Sequence, residues 1–237
     1  KLVHNKFDLN KKMIAYNNAK FTKEKESKYL ALLVNEEKPI TSVVIPDSVT
    51  SIGDSAFQDN QLTSVIIPNS VISVGNYAFY NNQLVNVTIS DSMTVIGGFA
   101  FANNQLTNIT IPDRITNIGH SAFRGNQLTS ITIPNRVGNI GGYAFYDNQL
   151  TSITISDSVR SIGNAAFNNN QLPDSEAFIY ARNSGDGSEC KTVVASYGGA
   201  KRDNVIIPVG VTYIEGSAFA HNQLTSITIP NSVTIIG

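Results

Sequence analysis

Residues 128 to 149 read LTSITIPNRVGNIGGYAFYDNQ, and this 22-residue unit recurs on both sides of itself in the 237-residue chain. Counted from the leading residue, the units begin at Ile40, Leu62, Leu84, Leu106, Leu128 and Leu150, and after an interruption at Arg202 and Leu224. A repeat of this fixed length is typical of a solenoid, in which each unit forms one rung and packs only against its neighbours. The periodicity therefore predicts a stack of rungs whose core is a long strip.

The first half of each unit predicts two short strands joined by a turn. LTSITI alternates apolar and polar residues, which places its first, fourth and sixth residues in the core, and the sixth is Ile in all eight units. Pro46 is expected to preset the first torsion of the turn, and Asp or Asn suits the next position. A shorter strand follows with Val49 and Ile52 directed inward, and Gly53 is expected to supply a bend.

The second half of each unit predicts a single helical turn at an Ala-Phe pair, followed by Asn-Gln. One Phe per unit is expected to build a continuous aromatic spine: Phe57, Phe79, Phe101, Phe123, Phe145, Phe167 and Phe219. The Asn of each Asn-Gln pair, from Asn60 to Asn222, is expected to bond backbone groups of adjacent loops as a buried structural ladder.

The units resemble leucine-rich repeats of the BspA or Treponema type, a family of bacterial surface proteins whose pattern LxxIxIPxxVxxIGxxAFxxC matches LTSITIPNRVGNIGGYAFYDN. The resemblance covers residues 40–171 and 202–237, with Asn in place of Cys and 22 residues instead of the usual 23. It implies an α/β leucine-rich-repeat solenoid, right-handed and rich in strands. It also implies an extracellular or cell-surface setting and adhesion to host or neighbouring cells.

The predicted organisation has four parts. Residues 1–39 form an N-terminal segment, in which the stretch from Thr22 to Glu36 predicts an amphipathic helix that caps the first rung. Residues 40–171 hold six repeats, and 202–237 hold the resumed repeats, the last of which is cut at Gly237. Residues 172–201 abandon the pattern, and their strand-like stretches around SGDG predict a β-hairpin island. The island is either a functional loop or a tolerated spacer.

Composition and spacing argue against several classes of protein. The net charge of −1 and the 15% of charged residues do not favour nucleic acid, and no apolar run is long enough for a transmembrane segment. His4, His120 and His221 fall at unrelated places, and Cys190 is the single cysteine, so no catalytic constellation is expected. The Asp and Asn column after Pro is explained by turn formation rather than by calcium. The chain is therefore predicted to be no enzyme and to use no cofactor or metal.

Three surfaces are candidates for partner binding. The first is a strand ladder of outward polar residues, which is either a plain soluble face or a recognition face: Asn86, Thr88, Asn108, Thr110, Ser130, Thr132, Ser152 and Thr154. The second is a row of aromatic residues around the Ala-Phe turns, either exposed or half-buried: Tyr77, Tyr80, Phe99, Tyr143 and Tyr146. The third is the island, represented by Tyr180 and Arg182.

Repetition without a catalytic constellation predicts a non-enzymatic binding module of a bacterial surface or secreted protein. Its partner would be a protein or glycan on host or neighbouring cells. A structural spacer that displays another domain is the alternative, and an ice-binding β-face is a weaker one. Because the sequence stops 14 residues into the repeat that starts at Leu224, self-association through an apolar edge is also expected.

Overall fold

The computed structural model describes residues 29–30 and 39–237, which form seventeen short strands and no helix. In chain order the strands are β1 Tyr29–Leu30, β2 Ser51–Ile52, β3 Ser64–Ile66, β4 Ser73–Val74, β5 Asn86–Thr88, β6 Val95–Ile96, β7 Asn117–Ile118, β8 Ser130–Ile133, β9 Asn139–Ile140, β10 Ser152–Ile155, β11 Ser161–Ile162, β12 Phe178–Arg182, β13 Glu189–Tyr197, β14 Val205–Ile206, β15 Tyr213–Ile214, β16 Ile227–Thr228 and β17 Ile235–Ile236. Among these residues, no helix has the length and apolar character needed to span a membrane.

Parallel pairing between successive rungs holds the solenoid together. The second strands of the repeats form a seven-stranded parallel sheet in the order β1-β2-β4-β6-β7-β9-β11. Its register advances by one unit at each step, so that Ile52 pairs with Val74 and Val74 with Ile96. These three side chains are buried. The predicted second strand is therefore confirmed.

The opening LTSITI strands are formed in only some of the repeats. They pair in parallel as β3 with β5, β8 with β10 and β14 with β16, whereas residues 40–45 and 106–111 have no strand. The predicted inward position still holds for most of the sixth residues, including Ile67 and Ile133. Ile155 is half-buried. Ile229 is 44% exposed, and it lies on the last described rung, which has a neighbouring rung on one side only.

The predicted helical turn at the Ala-Phe pair is wrong. Ser55 and Asp59 have φ values of 54° and 56°, in the left-handed region, so a right-handed helix cannot continue through them. The N–H groups of Ser55, Phe57 and Asp59 instead donate to carbonyls of the next rung at 2.7 to 2.9 Å. The left-handed residues in this turn direct the N–H groups along the array. These donors therefore form hydrogen bonds between rungs rather than within a helix.

The aromatic spine is confirmed for six of its seven rings. From Phe57 to Phe167 the rings are fully buried and stack face to face on their neighbours at centroid distances of 5.1 to 5.6 Å. Phe219 does not continue the stack. It is half-buried and contacts Tyr197 and Phe178 of the island instead.

The Asn ladder is confirmed from Asn60 to Asn170. Asn222 departs from it, since its Oδ1 accepts the N–H of Asn169 at 2.7 Å and its buried Nδ2 has no hydrogen-bond partner among the described residues. Asn82 is 7% exposed and accepts the backbone N–H of Leu62, at the start of its own unit, at 3.0 Å. Its Nδ2 donates to the carbonyl of Phe57 in the preceding rung at 2.8 Å and to that of Phe79 at 3.2 Å. The same bonds recur at Asn104, Asn126, Asn148 and Asn170. Each amide therefore closes one rung and ties it to the one before.

Two local predictions about the turns need correction. The recurring Gly is required less for a bend than for the close approach of rungs, because a Cβ on Gly97 would lie 2.5 Å from the backbone carbon of Gly75. Pro46 is the first residue of its turn and accepts the N–H of Val49 at 3.0 Å. Asp47 and Ser48 are therefore the two central turn residues, and Pro46 does not supply the first central torsion.

The predicted hairpin island is present and is built into the stack. β12 pairs with β13 in antiparallel fashion, and β13 pairs in parallel with β15 of the resumed array. The buried Asn168 fastens this junction, since its Oδ1 accepts from the Ser196 hydroxyl at 2.5 Å and its Nδ2 donates to the carbonyls of Ser217 and Ala220. The hydrophobic core divides here into one large cluster and two small ones.

Arg202 occupies the position that carries Leu or Ile in the other units. Its guanidinium donates to the carbonyls of Gly199, Lys201 and Asn170, the last at 3.1 Å. The charge is thus placed against backbone dipoles where the core is interrupted.

The predicted N-terminal helical cap is wrong at the two residues where it can be compared. Tyr29 and Leu30 form strand β1, which pairs in parallel with Ser51 and Ile52 at an offset of one 22-residue repeat. The two residues therefore add a strand to the sheet before the first complete rung. The remaining residues of the proposed cap lie outside the described residues.

Candidate functional site

An aromatic strip runs across the rungs on the surface beside the buried spine. It consists of seven residues: Tyr77, Tyr80, Phe99, His120, Tyr143, Tyr146 and His221. Each ring contacts the next at centroid distances of 4.7 to 6.3 Å, mostly edge to face. The closest contact is the stack of Tyr77 on Phe99 at 4.7 Å and 5°. The row predicted from the sequence is thus one connected surface.

The exposure of the strip varies from ring to ring, and His120 and His221 are exposed. Tyr77 is 38% exposed, Tyr80, Phe99 and Tyr143 are half-buried, and Tyr146 is 9% exposed. Within the pairs Tyr77–Tyr80 and Tyr143–Tyr146 the rings contact at 5.6 Å, as a spacing of three predicts. The row therefore combines exposed and buried rings.

His120 bridges a gap in the strip that the repeat would otherwise leave. The position that carries Tyr77, Phe99 and Tyr143 in other units is Ser121 in this one, and Ser121 is fully buried. His120 contacts Phe99 at 5.3 Å and Tyr143 at 5.6 Å.

The glycines on the neighbouring rungs leave room for His120. A Cβ on Gly142 would lie 3.3 Å from His120 Nδ1, and one on Gly98 would lie 3.3 Å from the His120 carbonyl oxygen. Sequence reasoning missed His120 because the residue lies one position away from the aromatic column. The signal that could have found it is a large ring flanked by Gly one repeat before and after.

Charge and burial modify the far end of the strip. The Arg124 guanidinium lies over the Tyr146 ring, 5.1 Å from its centroid. Burial raises the pKa of the Tyr146 phenol, Asp147 adds to the increase, and Arg124 opposes it. His221 contacts the same ring at 5.9 Å. His120 and His221 therefore lie on one strip, which corrects the prediction that these two histidines are unrelated, and His4 lies outside the described residues.

The strand ladder is fully displayed to solvent. All eight of its polar side chains are exposed, and Thr132 pairs in register with Thr154. At both ends the outer column continues with exposed apolar residues, Val44, Ile66 and Ile206, at 82%, 71% and 64%.

The island places Tyr180 and Arg182 in its own packing rather than beside the strip. Tyr180 is half-buried, and burial with a contribution from Glu189 raises its pKa. The side chain of Arg182 is 7% exposed, donates to the Gly187 carbonyl at 3.1 Å and lies 3.9 Å from a carboxylate oxygen of Glu189. Within the described residues, no aromatic contact joins Tyr180 to the strip.

Reactive side chains do not cluster in the described part of the chain. No group of three or more His, Cys, Asp or Glu residues there is arranged to hold a metal ion. Cys190 is half-buried, and its sulfur lies 3.4 Å from the Thr192 hydroxyl.

The repeat pattern and the stacked rungs agree with a known family. The family described as "BspA type Leucine rich repeat region" matches residues 34–137, 94–178 and 195–237, with six copies of its motif. The chain belongs to the BspA-type leucine-rich repeat family. Leucine-rich repeats are a general scaffold for protein interaction, and the BspA-type solenoid seen here is one of them.

Three solved structures resemble this BspA-type solenoid. A leucine-rich repeat protein from Bacteroides ovatus is 25% identical, with a TM-score of 0.49 over 80% of this chain and 55% of that one. One from Eubacterium ventriosum is 19% identical, with a TM-score of 0.49 over 80% and 50%. A leucine rich cell surface protein from Faecalibacterium prausnitzii is 22% identical, with a TM-score of 0.44 over 88% and 65%. This chain thus spans 50% to 65% of those three chains. The comparison with curated proteins gave no match.

Proposed function

We propose that the chain is a non-enzymatic recognition module of a bacterial surface or secreted protein and that it binds its partner through the aromatic strip. The partner is a protein or glycan on host or neighbouring cells. The observation that carries the proposal is the continuity of seven rings over successive rungs. Tyr side chains are favoured in interfaces because they bury a large area at a small cost in conformational entropy.

The backbone under the strip supports this proposal. Tyr77, Phe99 and Tyr143 have φ values of 57°, 56° and 58°. Bulky residues occupy this left-handed region at a cost, and Gly or Asn adopts it more readily. The same repeat position is also left-handed at Ser55, Ser121, Ala165 and Ser217, so the backbone conformation belongs to the turn, whereas the aromatic residue type does not. Aromatic rings at these positions are therefore better explained by what they contact than by the needs of the turn.

The proposal is tested with a double variant, Tyr77→Asn with Tyr143→Asn, which removes two rings and keeps a residue suited to positive φ. Wild type and variant are measured against immobilised extracellular-matrix proteins and cultured cell surfaces. We expect the variant to lose the binding that the wild type shows. A control variant, Thr110→Ala with Thr132→Ala on the strand ladder, is expected to retain it. If the strand-ladder variant loses binding and the Tyr variant retains it, the recognition surface is the strand ladder.

A further inference from the structure

A column of short polar side chains runs beside the aromatic strip, one per rung. Five of its members have φ between 54° and 58°: Asp59, Asn81, Asn103, Asp147 and Asn169. Two neighbouring pairs are joined by hydrogen bonds, since Asn81 Nδ2 donates to Asp59 Oδ1 at 2.7 Å and Asn169 Nδ2 donates to Asp147 Oδ1 at 2.6 Å. The column is thus largely a self-paired surface.

Gly125, with φ 65°, interrupts the column in the middle of the array. A Cβ at this position would lie 2.7 Å from Asn103 Oδ1, so the missing side chain would have met the amide of Asn103. Asn103 turns its Nδ2 to the Tyr80 hydroxyl at 3.2 Å instead. Within the described residues, its Oδ1 and the second carboxylate oxygen of Asp147 accept no hydrogen bond.

Gly125 lines an open cleft with a volume of about 440 Å³. We call it the Gly125 cleft, and its exposed polar lining consists of Asn103, Gln127, Asp147 and Gln149. Neither Gln side chain makes a hydrogen bond within the part of the chain that the structure describes. The deeper Asn126 and Asn148 are buried and already committed to the Asn ladder.

The cleft is joined to the aromatic strip through backbone and side-chain contacts. Asn103 bonds the Tyr80 hydroxyl, and the N–H of Gly125 donates to the Tyr146 carbonyl at 2.9 Å. Arg124, next to Gly125, places its guanidinium over the Tyr146 ring. A ligand in the cleft would therefore sit directly beside the strip.

The chemistry of the lining selects an uncharged ligand rich in hydroxyl groups. The lining carries one carboxylate and no cation, while Arg124 beside it offsets that charge. Amide side chains offer donors and acceptors together, and Asp147 offers acceptors only, which matches hydroxyls that both donate and accept. A calcium ion takes six to eight oxygens, usually with several carboxylates, and is a poor match for a single Asp.

We infer that the Gly125 cleft binds a neutral saccharide unit. The inference deepens the proposed recognition function and rests on it, because it assigns the glycan as the ligand class at the edge of the strip. Hydroxyls of the sugar would be bound by Asn103, Asp147 and the two Gln side chains. The adjoining rings would face the rest of the glycan.

The test is the variant Gly125→Asn, which completes the column. Asn accepts positive φ, and the neighbouring column positions already hold Asn, so the rung is expected to fold. The Cβ would meet only Asn103, and the one close atom is its side-chain Oδ1 at 2.7 Å, which can move aside by rotation of the side chain. The new Nδ2 can then donate to Asn103 Oδ1, as Asn81 does to Asp59. The matched control is Gly185→Asn in the hairpin turn, where a Cβ meets nothing within 4 Å.

The full chain and both variants are applied to an array of neutral oligosaccharides, including maltohexaose and cellohexaose, with heparin and polygalacturonate as acidic probes. We expect wild type and Gly185→Asn to bind at least one neutral oligosaccharide. Gly125→Asn should weaken that binding by about tenfold or more, the effect of losing one or two hydrogen bonds.

Four results would overturn the inference: no neutral saccharide bound, binding only of acidic probes, binding unchanged in Gly125→Asn, or binding abolished by a calcium chelator. The strip variant separates this inference from the proposed function. If Tyr77→Asn with Tyr143→Asn loses cell or matrix binding while Gly125→Asn leaves saccharide binding unaltered, the strip keeps its role and the cleft does not.

Discussion

Leu106 donates its backbone N–H to the side-chain Oδ1 of Asn126, which closes the same repeat, at 3.1 Å. Both residues are buried, at 0% and 7% exposure. The Nδ2 of Asn126 donates to the carbonyls of Phe101 and Phe123, each at 3.0 Å. One amide thus replaces the water that these backbone groups would bond in the unfolded chain. The chain departs here from the Cys of the family pattern, and the Asn side chain supplies polar partners that a thiol would supply weakly.

Asn126→Ala is expected to leave the Leu106 N–H buried without a partner. The Phe101 carbonyl keeps a second donor, Asn104 Nδ2 at 3.1 Å, so the loss falls mainly on the N–H. We expect the free energy of unfolding to decrease by about 1 to 3 kcal/mol, measured by urea denaturation. The exposed Asn108→Ala on the strand ladder is the control and should change it by less than about 0.5 kcal/mol. Equal effects of the two substitutions would show that the Asn ladder does not stabilise the rungs.

Phe123→Ala is expected to remove a fully buried ring that stacks on Phe101 at 5.6 Å and on Phe145 at 5.5 Å. The cavity and the lost transfer free energy together should lower the stability by about 3 to 5 kcal/mol. Phe219→Ala should lower it by less, because that ring is half-buried and outside the stack. Thermal unfolding followed by circular dichroism distinguishes the two variants. An unchanged midpoint for Phe123→Ala would contradict the burial of the spine.

Gly119→Ala tests the close approach of the rungs. Its Cβ would lie 2.5 Å from the backbone carbon of Gly97 and 2.6 Å from the nitrogen of Gly98, and neither atom can move aside without shifting a rung. We expect a destabilisation of about 1 to 3 kcal/mol from overpacking.

Gly138→Ala is the matched control for this substitution. The nearest atom to its Cβ is the Thr116 carbonyl oxygen at 3.9 Å, and its φ is not positive. It should be neutral or stabilising by up to about 1 kcal/mol, because Ala restricts the unfolded chain. If both variants unfold at the same urea concentration, the Gly column is not required for rung spacing.

The parts of the fold that repeat were predictable, and the parts that depend on handedness or on a single contact were not. The burial of Phe123 and Asn126 follows from periodicity, because every unit must present the same face to its neighbours. The left-handed backbone at Ser55, Tyr77 and Phe99 was missed because the residue types there do not favour it. Residue propensities therefore predicted a helical turn where the structure has hydrogen bonds between rungs.

The candidate site shows the same division. The Tyr pairs were visible as a spacing of three, whereas His120 was missed because it reaches the strip from a neighbouring position. Asn168 and Ser196 fasten the island through a contact that occurs once, so no repetition in the sequence could reveal it. Gly125 did leave a signal, since it stands where five other units carry Asp or Asn.

Tyr197→Phe is expected to reduce the loss of stability at alkaline pH. Tyr197 is 1% exposed and donates its hydroxyl to the Lys201 carbonyl at 3.1 Å, and burial raises its pKa above the ordinary value of 10.0. The folded protein therefore retains a proton that the unfolded chain releases, so stability is full below about pH 10 and decreases as pH rises beyond it. The variant lacks this proton, and its unfolding free energy should decrease less steeply between about pH 10 and 11.5 in urea titrations. Part of the decrease should remain, because the pKa values of Tyr146 and Tyr180 are raised as well. The lost hydrogen bond can shift the unfolding free energy of the variant at pH 8, and this shift does not affect the test. If the unfolding free energy of wild type and variant decreases equally steeply with pH, the burial of the Tyr197 hydroxyl is contradicted.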